Sequence, residues 1–332
     1  MAGQLELFAA AGETPTVAPA AQGADHAELA GGLPDGLYLG TSSWSFPGWR
    51  DLLYASGCDV RTLARHGLQA YAQHPLFRAV GLDRTVHAPL TAEGYRAYVD
   101  QVPAKFRFVV KAPVACTTPR WHATSGRPSG PNRDYLDADY AVTRFLEPCL
   151  EGLGTHLGAL VFQFPPQGGA VTRAPRAFAS RLLAFLEALP IGPLYCVELR
   201  DAALLNEDYV ATLSAADVTH CISVHPRLPD VSEQAAVADA ALQRALVVRW
   251  NLHGGFNYEQ ARARYRPFDR LLDPDPDTRT AIVDAATQRL REGRPAFITV
   301  NNKAEGSAPL SVIELAREFA SNRDGDPRAA AE

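Results

Sequence analysis

Short β-rich runs in this chain end, one after another, in residues that can do chemistry. Phe106–Ala112 carries Lys111, Leu157–Phe164 carries Gln163, and Leu194–Leu199 carries Glu198 with Arg200 and Asp201 just beyond. Leu37–Thr41 runs into Ser42, Ser43 and Trp44, Phe77–Leu82 into Asp83, Arg84 and His87, and His220–Val224 into His225. Leu246–Leu252 contains Arg249 and Asn251 and leads to His253, while Phe297–Val300 leads to Asn301, Asn302 and Lys303. Successive strand residues alternate between faces, so Lys111 shares a face with Val109, Gln163 with Val161 and Ala159, Glu198 with Cys196, and Asn301 with Thr299. If the small and apolar members point into a closed barrel, the polar member at each strand end points into its mouth. A lysine and a glutamate partly desolvated there favour each other as partners, which predicts Lys111 and Glu198 within salt-bridge or single-water reach. That pair is either a structural ion pair or a catalytic one. In the catalytic reading Glu198 moves a proton, Lys111 stabilises developing negative charge, and His253 is a third catalytic candidate. Trp44, Gln163, Arg200, Asn301 and Asn302 would then position a substrate. On this reading Glu198→Gln abolishes turnover and leaves the fold intact.

Asp83, His87 and His225 are candidate ligands for a divalent metal, because imidazoles and a carboxylate at strand ends can converge on one ion. The sequence has no H-E-x-x-H, no closely spaced Cys/His set, no G-x-S-x-G elbow and no P-loop, which removes support for a zincin, a serine esterase or a Walker-type NTPase. The longest connection, Cys116 to Tyr135, holds Arg120, Trp121, His122, Arg127 and Arg133 against Asp134 alone. Arginines interleaved with an aromatic suit phosphate or nucleotide contacts, so Arg120 and Arg127 join the substrate-binding candidates. Few apolar residues hold this segment down, which predicts a mobile cover anchored by Trp121.

The elements that must position these residues follow from the same spacing. Between the eight runs, apolar residues recur every three or four positions, most clearly at Phe178, Leu182, Phe185, Leu186 and Leu189, which predicts helices. Asn206 and Asp277 are expected N-caps, and Gly293 and the Gly152-Leu153-Gly154 turn expected helix ends. Strands alternating with helices fit either a parallel (β/α)8 barrel or a doubly wound open sheet. Gly40-Thr41-Ser42-Ser43-Trp44 is not the glycine-rich turn that a dinucleotide-binding open sheet needs, so a TIM barrel over residues 37–320 is the expected fold. The 332 residues carry 32 Lys plus Arg against 37 Asp plus Glu, a formal charge of −5, which excludes coating of nucleic acid by bulk charge. No apolar run suffices to span a membrane. Five scattered cysteines without a C-x-x-C pair read as reduced thiols of a cytoplasmic protein.

Residues 1–36 contain ten Ala, six Gly and three Pro but neither Lys nor Arg, and read as a flexible tail rather than a targeting segment, as do the polar residues 321–332. Within the first tail, Gln4-Leu5-Glu6-Leu7-Phe8 resembles the short bacterial peptide that docks into the DNA polymerase sliding clamp. Leu5, Leu7 and Phe8 would fill an apolar pocket while Gln4 supplies orienting hydrogen bonds. Docking would give a dissociation constant on the order of micromolar. A clamp titration with the intact protein and with a Leu7→Ala, Phe8→Ala variant checks it. The expected outcome is binding by the first alone; equal binding by both would dispose of the idea.

The stretch Gly40-Thr41-Ser42-Ser43-Trp44-Ser45-Phe46-Pro47-Gly48-Trp49 resembles the opening signature of the YecE-like family, a TIM-barrel domain family of unknown function. Phe106-Arg107-Phe108-Val109-Val110-Lys111-Ala112-Pro113, Phe162-Gln163-Phe164-Pro165-Pro166 and Val197-Glu198-Leu199-Arg200 resemble its third, fourth and fifth strands. His253-Gly254, Asn301-Asn302 and Glu305-Gly306 match its last two. Gly81, Asp83, His225 and Asn251 depart from the pattern, so the chain reads as a divergent member. The resemblance implies the barrel and a cleft at its mouth, but no reaction. Together these features point to a barrel hydrolase or lyase, with a metal-dependent phosphodiesterase and its divalent metal as one candidate form, acting on a phosphorylated or nucleic-acid-related substrate and linked to replication or repair through the clamp peptide. A sugar isomerase, a glycosidase using Glu198 with Asp201 or Asp83, and a non-enzymatic binding module are the alternatives.

Overall fold

The computed structural model describes residues 16–21, 24–86, 88–122, 128–241 and 243–324. The alternating runs become strands β1 Leu37–Thr41, β2 Ala79–Leu82, β3 Arg107–Lys111, β4 Leu157–Gln163, β5 Tyr195–Glu198, β6 Thr219–Val224, β7 Leu246–Trp250 and β8 Ala296–Val300. Every pairing is parallel, and the order β1-β8-β7-β6-β5-β4-β3-β2 closes the sheet into a TIM (β/α)8 barrel. Parallel neighbours require long crossovers, and helices on the outside supply them. The helix Pro175–Glu187 buries Phe178, Ala179, Leu182, Phe185 and Leu186, the face that the three- and four-residue spacing sets.

The helix ends follow local chemistry. Asn206 caps Glu207–Ala216 by accepting from the Tyr209 N–H. For Pro276–Arg291 the cap is Asp275, which accepts from the Thr278 N–H, rather than the expected Asp277; Pro276 fills the first helical position and leaves Asp277 in the first turn. Gly293, at φ 71°, and Gly154, at φ 49°, end helices as expected.

Two layers of core result. One lies between sheet and helices; the other fills the barrel with Val109, Ala159, Val161, Cys196, Cys221, Val247 and Phe297. Tyr38 stacks on Phe297 with ring centroids 4.7 Å apart. The inner layer fixes which residues face inward, and the strand-end residues two positions on therefore face the mouth. A Cβ on Gly40 would lie 1.9 Å from the Ala79 carbonyl oxygen. Gly40→Ala should thus cost about 1–3 kcal/mol, as overpacking does. Chemical denaturation checks this, and an unchanged midpoint would contradict so close an approach of β1 and β2.

Three expectations about the periphery are corrected. Residues 24–32 are helical rather than part of a flexible tail, because Ala30 and Leu33 bury apolar surface in the core and Arg78 Nη2 donates to the Ala30 carbonyl at 2.8 Å. The last helix, Ala308–Asp324, runs past residue 320. The described parts of Cys116–Tyr135 are docked rather than a free cover. Cys116, Thr117, Thr118, Asn132 and Tyr135 are buried, Asn132 Nδ2 donates to the carbonyls of Ala115 and Thr118 at 2.6 and 2.8 Å, and Tyr135 donates to Gln167 Oε1 at 2.8 Å. Trp121 is no anchor; it stands on a short hairpin, Arg120–His122 with Pro128–Pro131, and is 38% exposed. Gln4, Leu5, Leu7, Phe8, His87 and Arg127 lie outside the described residues. Four cysteines are buried, Cys58 is half-buried, and none is bridged. Among the described residues no helix is long and apolar enough to cross a membrane.

Candidate functional site

The strand-end side chains that face inward meet around Glu198. Burial would push this carboxyl up, but the guanidinium groups of Arg200 and Arg249 and the Lys111 ammonium outweigh that and hold it down at about 2. Its Oε1 accepts from Ser223 Oγ at 2.9 Å and Asn251 Nδ2 at 3.2 Å and lies 2.5 Å from Arg200 Nη2. Its Oε2 accepts from Arg249 Nη1 at 2.6 Å. Arg249 turns its other nitrogen, Nη2, to Asp83, 2.9 Å from both carboxylate oxygens. One guanidinium therefore ties the ends of β2, β5 and β7 together. Arg249 loses solvation here, yet Asp83 and Glu198 more than compensate and raise its pKa. The helix Val231–Ala240 steadies the platform from outside: Gln234 accepts from the Ser223 N–H at 3.0 Å and donates to its carbonyl at 3.1 Å.

Above this platform opens a cleft of about 610 Å³ at the C-terminal ends of the strands, where barrels of this kind build their sites. Among the described residues, five cationic side chains line it, Lys111, Arg200, Arg227, Arg249 and Lys303, against one carboxylate, Asp83. His225 adds no charge near neutral pH. Burial, then Arg200 and Arg227, lower its pKa to about 4, and its Nδ1 accepts from the Arg227 N–H at 3.2 Å. Gln163, Asn251, Asn301 and Tyr258 supply neutral polar groups, and Leu252, Phe256 and Pro165 an apolar wall. Lys111, lowered first by burial and then by Arg249 against the opposing pull of Asp83, has no ion pair or side-chain hydrogen bond among the described residues. Arg200 is mostly buried, its side chain 14% exposed, whereas Arg227 is open to solvent.

The expected residues thus divide. Lys111, Gln163, Arg200, Asn301, His225 and Asp83 line the cleft. Glu198 lies beneath it, fully buried, its Oε1 held by Ser223, Asn251 and Arg200 and its Oε2 by Arg249, so it orients the cations above it. Of the expected salt-bridge or single-water reach between Lys111 and Glu198, the direct ion pair does not form among the described residues, because Arg249 and Arg200 take the carboxylate, but the two charges still act on each other. Trp44 belongs to the core, 2% exposed, with its Nε1 donating to the Leu63 carbonyl at 3.1 Å. Asn302 is structural too: its Oδ1 accepts from Trp49 Nε1 at 3.1 Å and from the Ala308 N–H at 2.8 Å. His253 stays off the cleft lining, its Nδ1 2.5 Å from the Gly254 carbonyl oxygen. Arg120 is exposed on the hairpin and does not reach the cleft. Asp83 and His225 both line the cleft, while His87, the third candidate metal ligand, lies outside the described residues, among which no group of three His, Cys, Asp or Glu could hold a metal ion. Asp201 is engaged elsewhere, accepting from the Gln167 N–H at 2.7 Å.

Sequence reasoning left Arg249, Asn251 and Lys303 as strand-end polar residues without a role, and missed Ser223, Gln234, Arg227 and Tyr258. Parity with Val247 marks Arg249 as inward. Arg227 and Tyr258 sit beyond strand ends, where no periodicity points to them.

The comparisons with known proteins agree with this architecture. A DUF72 protein, EF0366 of Enterococcus faecalis V583, superposes with a TM-score of 0.60 at 18% identity, covering 85% of this chain and 95% of its own. TM1631 of Thermotoga maritima MSB8, another DUF72 protein, gives 0.54 at 17% identity, covering 85% and 98%. The UPF0759 protein YunF of Bacillus subtilis strain 168 is 31% identical over 130 residues, 39% of this chain, and the match spans about 40% of that relative's length. The family model described as "Protein of unknown function DUF72" matches residues 38–331. The resemblance in the strand motifs is thereby confirmed, and the chain belongs to the DUF72 family.

Proposed function

We propose that this protein is a barrel hydrolase or lyase whose cleft binds a phosphorylated substrate. The observation that carries this reading is the charge of the cleft: among the described residues, five cations and one carboxylate line it, in a chain of net charge −5. Such local excess, walled by low-dielectric protein, concentrates anions against the sign of the whole molecule. Glu198 and Asp83 neutralise much of Arg249 and part of Arg200, so the anion is held by the less compensated groups, Lys111 and Arg227, with Gln163 and Asn301 orienting its polar remainder. Leu252 and Phe256 accommodate an apolar or ring portion. A glycosidase mechanism has less support, because its two carboxylates would have to be Glu198 and Asp83, and one guanidinium already binds both.

Calorimetric titration with ribose 5-phosphate and with ribose tests the reading. The phosphate ester is expected to bind at a single site, with affinity that falls as salt rises from about 0.05 to 0.5 M, since the contacts are partly solvated. The neutral sugar is expected to bind at least about tenfold more weakly, a difference of ~1.4 kcal/mol. Equal binding of the two would refute the anion-binding reading.

A further inference from the structure

The chain contains 29 arginines and only three lysines, Lys105, Lys111 and Lys303. Lys105 is exposed, whereas the other two line the cleft. A protein that uses arginine for almost every positive charge has placed lysine where a ligand would sit. What lysine offers there and arginine does not is an amine that gives up its proton.

Of the two, Lys303 is built for that role. It is 8% exposed, its Nζ donates to the neutral amide oxygen of Asn301 at 2.6 Å, and it lies 4.3 Å from the centroid of the Tyr258 ring. No carboxylate pairs with it among the described residues. Lys111 lines the same cleft and is also lowered by burial, with Asp83 and Glu198 opposing and Arg249 and Arg200 reinforcing, but among the described residues it lacks the amide and ring that hold the Lys303 amine in place. We propose that Lys303 is an amine nucleophile that forms a Schiff base with the carbonyl carbon of a phosphorylated aldehyde or ketone bound in this cleft. This rests on the anion-binding reading and names the substrate class for it.

Burial lowers the Lys303 ammonium to about 8, with Arg262 reinforcing the shift and Asp83 and Glu259 opposing it. A usable fraction of free amine therefore exists near neutral pH. The Nζ lone pair adds to the carbonyl carbon, and the carbonyl π pair moves to oxygen, which takes up a proton. The carbinolamine then loses its oxygen as water, so the sum is amine plus carbonyl giving imine plus one water, with no change of oxidation state. Protonated, the imine keeps a positive charge beside the Tyr258 ring, a placement that favours the cation.

The test uses the intact protein and pyridoxal 5′-phosphate, an aldehyde bearing a phosphate, followed by borohydride reduction and peptide mapping by mass spectrometry. With only three lysines the assignment is unambiguous. The adduct is expected on the Lys303 peptide at least about tenfold above the Lys105 peptide, as an activated amine requires. It should be suppressed by inorganic phosphate, weaker with unphosphorylated pyridoxal, and lost in Lys303→Arg. Labelling chiefly at Lys111, or equally at Lys105 and the N-terminus, would overturn the proposal, and mapping the wild-type protein decides this even if the variant fails to fold. If inorganic phosphate binds while Lys303 stays unmodified, the nucleophile falls and anion binding stands. If phosphate neither binds nor protects, both fall.

Discussion

Glu198→Gln is expected to destabilise the fold by about 3–5 kcal/mol, the range found when one member of a buried ion pair is removed. The substitution keeps the shape but removes the charge that two guanidinium groups share at 2.5 and 2.6 Å beneath the cleft. Arg249 retains Asp83, which sets the loss toward the lower end of the range. The sign of the pH dependence follows. The Glu198 carboxyl titrates at about 2 in the folded chain and at about 4.3 when unfolded. Its contribution is therefore complete above the unfolded value and is lost as pH falls toward the folded one. Chemical denaturation of both proteins between about pH 2 and 7 should show a constant gap above pH 5 that narrows below 4.5. A variant as stable as the parent at pH 7 would return Glu198 to the role of a free carboxylate.

The second large effect concerns ligand affinity. Lys111→Met combined with Arg227→Ala is expected to weaken binding of ribose 5-phosphate by about 100-fold, because each removed charge-assisted contact is worth ~1.5 kcal/mol or more. Both side chains are free of ion pairs among the described residues, so their loss strands no buried carboxylate and stability should change little. Calorimetry with a thermal-melt control reads both quantities. Unaltered affinity in a folded double variant would place the anion elsewhere.

Much of the architecture was legible in the sequence for physical reasons. Period-two alternation and a closed barrel leave one inward face per strand, so Val109 and Val161 locate Lys111 and Gln163 at the mouth, and Cys196 locates Glu198 just beneath it. What alternation does not encode is which opposite charges find each other. Lys111 and Glu198 occupy strand ends that invite pairing, yet Arg249 on β7 wins because its planar group reaches Glu198 and Asp83 together. Trp44 and Asn302 carry polar groups that satisfy backbone or core partners, a role indistinguishable in sequence from substrate contact. Arg227 reaches the cleft from a loop and Tyr258 from the first turn of the helix Tyr258–Tyr265, both beyond strand ends, where side-chain direction depends on tertiary packing. The helix Ala24–Gly32 was hidden by an alanine- and glycine-rich composition that buries just enough, through Ala30 and Leu33, to dock.

Whether a phosphate group sits at this barrel mouth is decided by a crystal structure with ribose 5-phosphate at saturating concentration. The phosphate is expected within hydrogen-bonding distance of Lys111 Nζ or the Arg227 guanidinium, with the Glu198–Arg249–Asp83 bridge intact beneath it. A phosphate found only outside the cleft, or a cleft left empty while the ligand binds in solution, would contradict that placement.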